Sequence, residues 1–262
     1  MPFAQSDGCT IHYQVEGPAD APVLILSNSI GTNLHMWDDQ APELARRFRL
    51  VRYDRRGHGQ SGVPKGPYTM DQLGRDALAV ADAVGARTFN WCGLSMGGMV
   101  GQWLGANAPH RLERLVISNT HFYYEDKAPW NERIKLVSEK GLAALADTMM
   151  ERWFTPTFRA RAPEKVERIR AMFLATPAEG FIGCAQAVRD MDFRESNRRI
   201  VAPTLVIGAD KDIATPPSWG EAIAKQIQGA RFARIPEASH LANIEQNKIY
   251  TELVLEFLCG RP

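Results

Sequence analysis

Ser95 stands in Gly93-Leu94-Ser95-Met96-Gly97, a G-x-S-x-G pattern. A serine hydroxyl is a poor nucleophile until a base takes its proton. The pentapeptide therefore matters only if a histidine and an acid stand elsewhere in a suitable order. Asp212 lies in Gly208-Ala209-Asp210-Lys211-Asp212-Ile213-Ala214-Thr215-Pro216, and His240 in Pro236-Glu237-Ala238-Ser239-His240-Leu241. Ser, Asp and His in that chain order suit nucleophilic acyl transfer, with His240 as general base and Asp212 holding its ring. Asp210 competes for the acid's place. Asp212 is preferred because it precedes Pro216 by four residues, a spacing that suits a loop turning back into a helix.

These residues need strands to carry them. Val23–Ser27 is a continuous apolar run, as expected of a strand covered on both faces. Residues 10–15 alternate like an edge strand, and 49–54, 87–92 and 112–118 read as further strands. Helices are predicted over 38–47, with Asp38 as N-cap, and over 96–108. A third spans Thr69 to Val84, where Thr69 and Gln72 have capping-box spacing. Ser95 thus falls between a strand and a helix. A serine on so sharp a turn needs small neighbours two residues away, which Gly93 and Gly97 supply. From about His121 to Asp190 the strand rhythm stops. Helical stretches at 129–139, 141–154, 163–175 and 178–190 are punctuated by Pro129, Pro156, Pro163 and Pro177. A strand returns at 204–209, then a helix near 217–228, a strand at 231–235 and a last helix near 244–258. The pattern predicts an α/β chain: a mostly parallel sheet with helices on both faces. Its core would be 1–120 and 191–262, with a helical cap over 121–190 inserted after the strand at 112–118.

With 262 residues the chain is long enough for a sizeable core, and its 31 basic and 30 acidic residues leave a net charge of +1. That balance argues against nucleic acid as a partner. No apolar run reaches the ~20 residues that would span a bilayer, and the first residues do not read as a signal peptide. Cys9, Cys92, Cys184 and Cys259 are scattered with no CxxC pair, which suggests buried, reduced thiols in a cytosolic protein and no metal site. Among the other histidines, His58 in Arg56-Gly57-His58-Gly59 is expected to bond loop backbone. His12 and His110 are expected at the surface, and His35 and His121 near the mouth of the site, in packing or capping roles.

Taken together, these residues resemble the α/β-hydrolase family over essentially the whole chain. Within it the likeness is to 3-oxoadipate enol-lactonases of aromatic catabolism. It is carried by Ser27-Asn28-Ser29-Ile30-Gly31 with Met36-Trp37, and by Tyr53-Asp54-Arg55-Arg56-Gly57-His58-Gly59-Gln60-Ser61. It continues in Gly93 to Met99 with Gln102-Trp103-Leu104, in Ser118-Asn119-Thr120, and in His240-Leu241-Ala242-Asn243-Ile244-Glu245-Gln246. Asn28-Ser29 departs from the usual His-Gly, and with the tail Asn243 to Gln246 it is the more particular signal.

The resemblance implies a lactone hydrolysed through an acyl-enzyme, with no cofactor. Alignment by the distance to Trp37 implies backbone oxyanion donors at Ile30 and Met96. Ser29, carrying a hydroxyl where glycine is usual, is expected to line the pocket floor. The partner would be a small lactone bearing a carboxylate, which needs a cation or several donors once buried. Residues 121–190 hold 11 basic and 10 acidic side chains, so bulk charge does not identify that cation. Arg133 is the candidate, one helical turn from Trp130; Trp130 and Trp153 are expected to wall a small apolar pocket. A general carboxylesterase, a carbon–carbon hydrolase and a ligand-binding receptor on the same fold are the alternatives.

Overall fold

The computed structural model describes residues 2–260, in which eight strands form one sheet. The strands are β1 (Phe3–Ser6), β2 (Cys9–Glu16), β3 (Val23–Ser27), β4 (Arg49–Tyr53), β5 (Phe89–Leu94), β6 (Leu112–Ser118), β7 (Thr204–Ala209) and β8 (Arg231–Ile235). Their order across the sheet is 1-2-4-3-5-6-7-8. β1 pairs antiparallel with β2 and β2 antiparallel with β4; every later pairing is parallel. β5 and β7 are buried along their whole length, which explains why their residues are mostly apolar; Asn90 in β5 donates its side-chain amide to Val23 O at 3.3 Å.

The chain leaves β3 for β4 on one side and later returns to β5 on the other. Loops at the carboxyl ends of β3 and β5 therefore diverge and leave a crevice, the place where open α/β sheets bind ligands. Around the sheet lie α1 (Ala41–Leu44), α2 (Met70–Ala83) and α3 (Met96–Asn107). Between β6 and β7 run α4 (Ala128–Lys140), α5 (Ala143–Trp153), α6 (Pro156–Arg161), α7 (Pro163–Leu174) and α8 (Ala178–Asp190). The chain ends with α9 (Pro217–Gln226), α10 (Ala242–Glu245) and α11 (Asn247–Cys259). Thr69 caps α2 through the full capping box with Gln72.

Four expectations are corrected. The segment 10–15 is not an edge, because the unforeseen β1 pairs outside β2. The helix over 38–47 shrinks to α1, and Asp38 does not start it. The Asp38 carboxylate is engaged by Arg52 at 2.6 Å, while Asn33 caps a 3₁₀ turn at Leu34–Trp37. His12 is fully buried, not at the surface: its Nδ1 lies 2.8 Å from Asp54 Oδ2 beneath β2. Cys259 is exposed, whereas Cys9, Cys92 and Cys184 are buried as expected.

The glycine-rich loop after β4 is anchored by charge. Arg56 makes two 2.6 Å hydrogen bonds to the Asp76 carboxylate on α2, and both side chains are buried. A fork-on-fork pair of this kind fixes orientation, and removing one partner strands the other charge in the interior. Asp76→Ala should therefore lower unfolding free energy by about 3–5 kcal/mol in a urea titration. Arg75→Ala, which breaks only an exposed pair with Asp7, should change it by less than about 1 kcal/mol.

Candidate active site

The sharp turn at Ser95 follows from close approach. Strand β5 ends at Leu94 and α3 begins at Met96, so Ser95 alone makes the turn, at φ 58 and ψ −116. A positive φ is strained for a residue with a Cβ, and such strain persists only where neighbours over-determine it. Here the Ser95 N–H donates to Ser118 O at 2.8 Å and its carbonyl accepts from the Thr120 hydroxyl at 2.7 Å. A Cβ on Gly93 would sit 2.1 Å from Gly97 O, and one on Gly97 would sit 2.1 Å from Ser27 O. The two glycines are what let α3 press against the end of β3.

Asp212 and His240 leave the carboxyl ends of β7 and β8, on the same edge of the sheet as Ser95. His240 Nδ1 lies 3.0 Å from Asp212 Oδ2. That carboxylate accepts from five donors. Oδ2 takes the His240 ring, the Thr215 hydroxyl at 2.6 Å and Asn119 Nδ2 at 3.0 Å; Oδ1 takes the amides of Ala214 and Thr215 at 2.8 and 2.9 Å. Burial alone would raise the Asp212 pKa, but the His240 charge and these hydrogen bonds outweigh it and hold the carboxyl below its ordinary value. An ionised Asp212 keeps the proton on Nδ1 and leaves the Nε2 lone pair free. Asp210, the competing acid, is exposed and pairs with Arg234. Asn119 and Thr215 were not expected here. Ser118-Asn119-Thr120 carried part of the resemblance, but only the β6–β7 adjacency shows that Asn119 reaches the acid.

Ser95, His240, Ile30 and Met96 line one inner cavity of about 40 Å³. Among the described residues no hydrogen bond joins the Ser95 hydroxyl to the His240 ring, as is common before substrate tightens such a site. The loop after β3 has nearly every nearby polar group engaged. Asn28 O accepts from the Gly97 amide at 3.0 Å and from the Arg55 guanidinium. Ser29 O accepts from the Thr32 hydroxyl at 2.8 Å, and the Gly31 amide donates to His58 Nε2 at 2.9 Å. Burial, helped by the Arg55 charge, lowers the His58 pKa to about 3, so His58 remains a neutral acceptor. Among the described residues the amides of Ile30 and Met96 have no protein acceptor. Met96 is also the first residue of α3, where the helix dipole favours negative charge. Two free amides beside the serine can hold a developing oxyanion.

Ser29 is not among the residues lining this cavity, contrary to expectation; its Oγ is buried without a hydrogen-bond partner. The helical segment supplies the other wall. Trp130, Arg133 and Trp153 all line the cavity, and the Trp153 ring lies nearly parallel to His240 with centroids 6.5 Å apart. Arg133 stacks on Trp130 at 4.7 Å. Tyr124, Arg152 and Met149, which the sequence did not single out, also line it. Tyr124, Trp130, Arg133, Arg152 and Ala214 also face an outer cavity of about 630 Å³, where His121 stacks on Trp219 at 3.7 Å. Burial and the neighbouring Arg152 charge both lower the Arg133 pKa. Among the described residues neither guanidinium has a carboxylate within ion-pair distance; Arg152 donates only to Ile213 O, at 3.3 Å. His35 lies outside both cavities and pairs with Asp38.

Comparison with known proteins agrees with this architecture. A family model described as the alpha/beta hydrolase fold matches residues 22–246. The 3-oxoadipate enol-lactonase 2 of Acinetobacter baylyi is 38% identical over 244 residues, 93% of this chain and 91% of that protein. Among solved structures, the enol-lactonase from Burkholderia xenovorans LB400 matches with a TM-score of 0.97 and 39% identity, over 99% of this chain and 100% of that one. A hydrolase from Pseudomonas aeruginosa PA01 matches with a TM-score of 0.95 and 48% identity, over 99% of this chain and 98% of that one. The family model spans β3 to α10, so that it includes the Ser95 turn, Asp212 and His240, and the chain belongs to the α/β-hydrolase family.

Proposed function

We propose that this protein hydrolyses 3-oxoadipate enol-lactone to 3-oxoadipate, in the cytosol, without a cofactor. The observation that carries this reading is a serine and an aspartate-bound histidine facing a cavity that, among the described residues, also receives two guanidinium groups without carboxylate partners. A triad alone suits any ester. Two half-buried cations beside it suit a substrate that brings its own negative charge. The similarity to enol-lactonases of Acinetobacter baylyi and Burkholderia xenovorans supports the same choice.

In this mechanism Ser95 Oγ attacks the lactone carbonyl while His240 Nε2 takes its proton. Asp212 steadies the imidazolium that results. The carbonyl oxygen gains charge and is held by the Ile30 and Met96 amides, each donor worth ~3 kcal/mol of barrier. Collapse breaks the ring carbon–oxygen bond. The departing enolate spreads its charge, takes the proton from His240 and becomes a ketone. Water, deprotonated by His240, then cleaves the acyl-enzyme and frees the acid and Ser95. Arg133 and Arg152 hold the substrate carboxylate, with Trp130 and Trp153 against its apolar part. Residues 121–190 act as the cap that closes over it.

The direct test is to add the enol-lactone and follow loss of its ultraviolet absorbance, with p-nitrophenyl esters in parallel. Turnover of the esters without the lactone would favour a general carboxylesterase and overturn this assignment. Ser95→Ala should keep the fold and lower kcat by ~10⁴-fold or more. Full activity in that variant would exclude the acyl-enzyme route. Arg133→Ala should raise KM for the charged lactone ~10- to 100-fold, the worth of one charge-assisted hydrogen bond. KM for a neutral ester should stay nearly constant, and an equal rise for both would remove Arg133 from the carboxylate site.

A further inference from the structure

The distinctive tail Asn243-Ile244-Glu245-Gln246 contains a buried carboxylate that the acyl-transfer steps do not use. Glu245 ends α10, five residues after His240, and is only 5% exposed. Its Oε1 accepts from the amide and the hydroxyl of Thr155 at 2.7 and 2.8 Å; its Oε2 accepts from the amide of Ser239. Thr155 lies between α5 and α6, and Ser239 immediately precedes His240. One carboxylate thus spans from the inserted helices to the histidine turn.

Two further hydrogen bonds run alongside. The Ser239 hydroxyl donates to Arg152 O at 3.0 Å, and the Leu241 amide donates to Trp153 O at 3.1 Å. The residues on both sides of His240 are therefore laced to the end of α5. That end carries Arg152 and Trp153, both of which line the inner cavity. Three donors converge on Glu245, and a carboxylate is the one side-chain group that can accept from all of them with no donor of its own. An amide of the same size would aim an NH₂ at a donor. Burial pushes the Glu245 pKa up, and the hydrogen bonds and the Arg161 charge offset only part of that rise.

We infer that Glu245 is a positioning residue for His240: it locks the histidine turn to the α5–α6 turn and so sets the depth and tilt of the imidazole against the cavity walls at Arg152 and Trp153. This rests on the acyl-transfer reading of Ser95, His240 and Asp212, and it extends that reading by joining the cap mechanically to the general base.

The test reads steady-state kinetics on the enol-lactone and on p-nitrophenyl acetate, well below the melting temperature of every variant. Glu245→Gln should lower kcat ~10- to 100-fold on both substrates while KM stays within ~2-fold, as expected when a reacting group is misplaced and binding is intact. Thr155→Val, which keeps the backbone donor, should give a smaller fall in kcat, and Thr155→Ser should restore it. A kcat within ~2-fold of the parent in folded Glu245→Gln would overturn the inference, even if its melting temperature dropped. A loss in Thr155→Val that Thr155→Ser fails to restore would overturn it too. Should Glu245→Gln not fold, the two Thr155 variants decide. A parent enzyme that cleaves the ester and ignores the lactone would defeat the substrate assignment alone, since the ester data still judge Glu245.

Discussion

The contact between Gly97 and the end of β3 is the constraint from which the site follows. With Ser27 O where a side chain on Gly97 would have to be, α3 and the β3 loop meet backbone to backbone. The Gly97 amide then reaches Asn28 O at 3.0 Å, which fixes the β3 loop to the helix that begins beside Ser95. Two segments about 70 residues apart in the chain thereby present their free amides to one point. Any side chain at that contact would separate the serine from the Ile30 amide.

Around that contact lie several buried polar and charged side chains. Arg56 with Asp76 and His12 with Asp54 brace the glycine-rich loop, and His58 reaches from it to the Gly31 amide. Arg55 is fully buried, and its Nε and Nη1 have no partner among the described residues. Apolar packing of the same volume would be as stable or more so. What polar partners add is direction: each fixes where a carbonyl or an amide points. A loop that keeps one free amide beside Ser95 needs its neighbouring peptide groups held in place.

The centre of the sheet was legible because both-face burial writes itself as apolar runs, as in Val23–Ser27 and Thr204–Ala209, whereas Leu112–Ser118 and Arg231–Ile235 carry charged residues and showed by their place in the strand–helix alternation. Leu112–Ser118, Thr204–Ala209 and Arg231–Ile235 fall where the pattern placed them, and the acid and the histidine follow two of them. The elbow was legible because its sterics demand glycine at fixed offsets. What stayed hidden was pairing across the chain. β1 has too few residues to show a period. His12 looks like any alternating strand residue until Asp54 is known to lie beneath it. Asp38 has the type of a helix cap, yet Arg52 from the neighbouring strand takes its carboxylate. Arg152 carries no local mark that separates it from other cap cations; only the fold of α5 brings it to the cavity. The last predicted helix divides at Gln246 for a similar reason: Glu245 must turn back toward the histidine loop.

The inner cavity, at about 40 Å³, is far smaller than the roughly 300 Å³ or more that a small-molecule site usually offers. Three of its walls are Met96, Met99 and Met149. Thioether chains have several soft torsions and exchange shapes at low cost. A ring can thus be admitted by rotating these sulfur-bearing arms, with the sheet, the elbow and the anchored loop left unmoved. Fidelity in the chemistry and tolerance in the fit are in this way assigned to different atoms: the rigid backbone keeps one, and the pliant lining keeps the other.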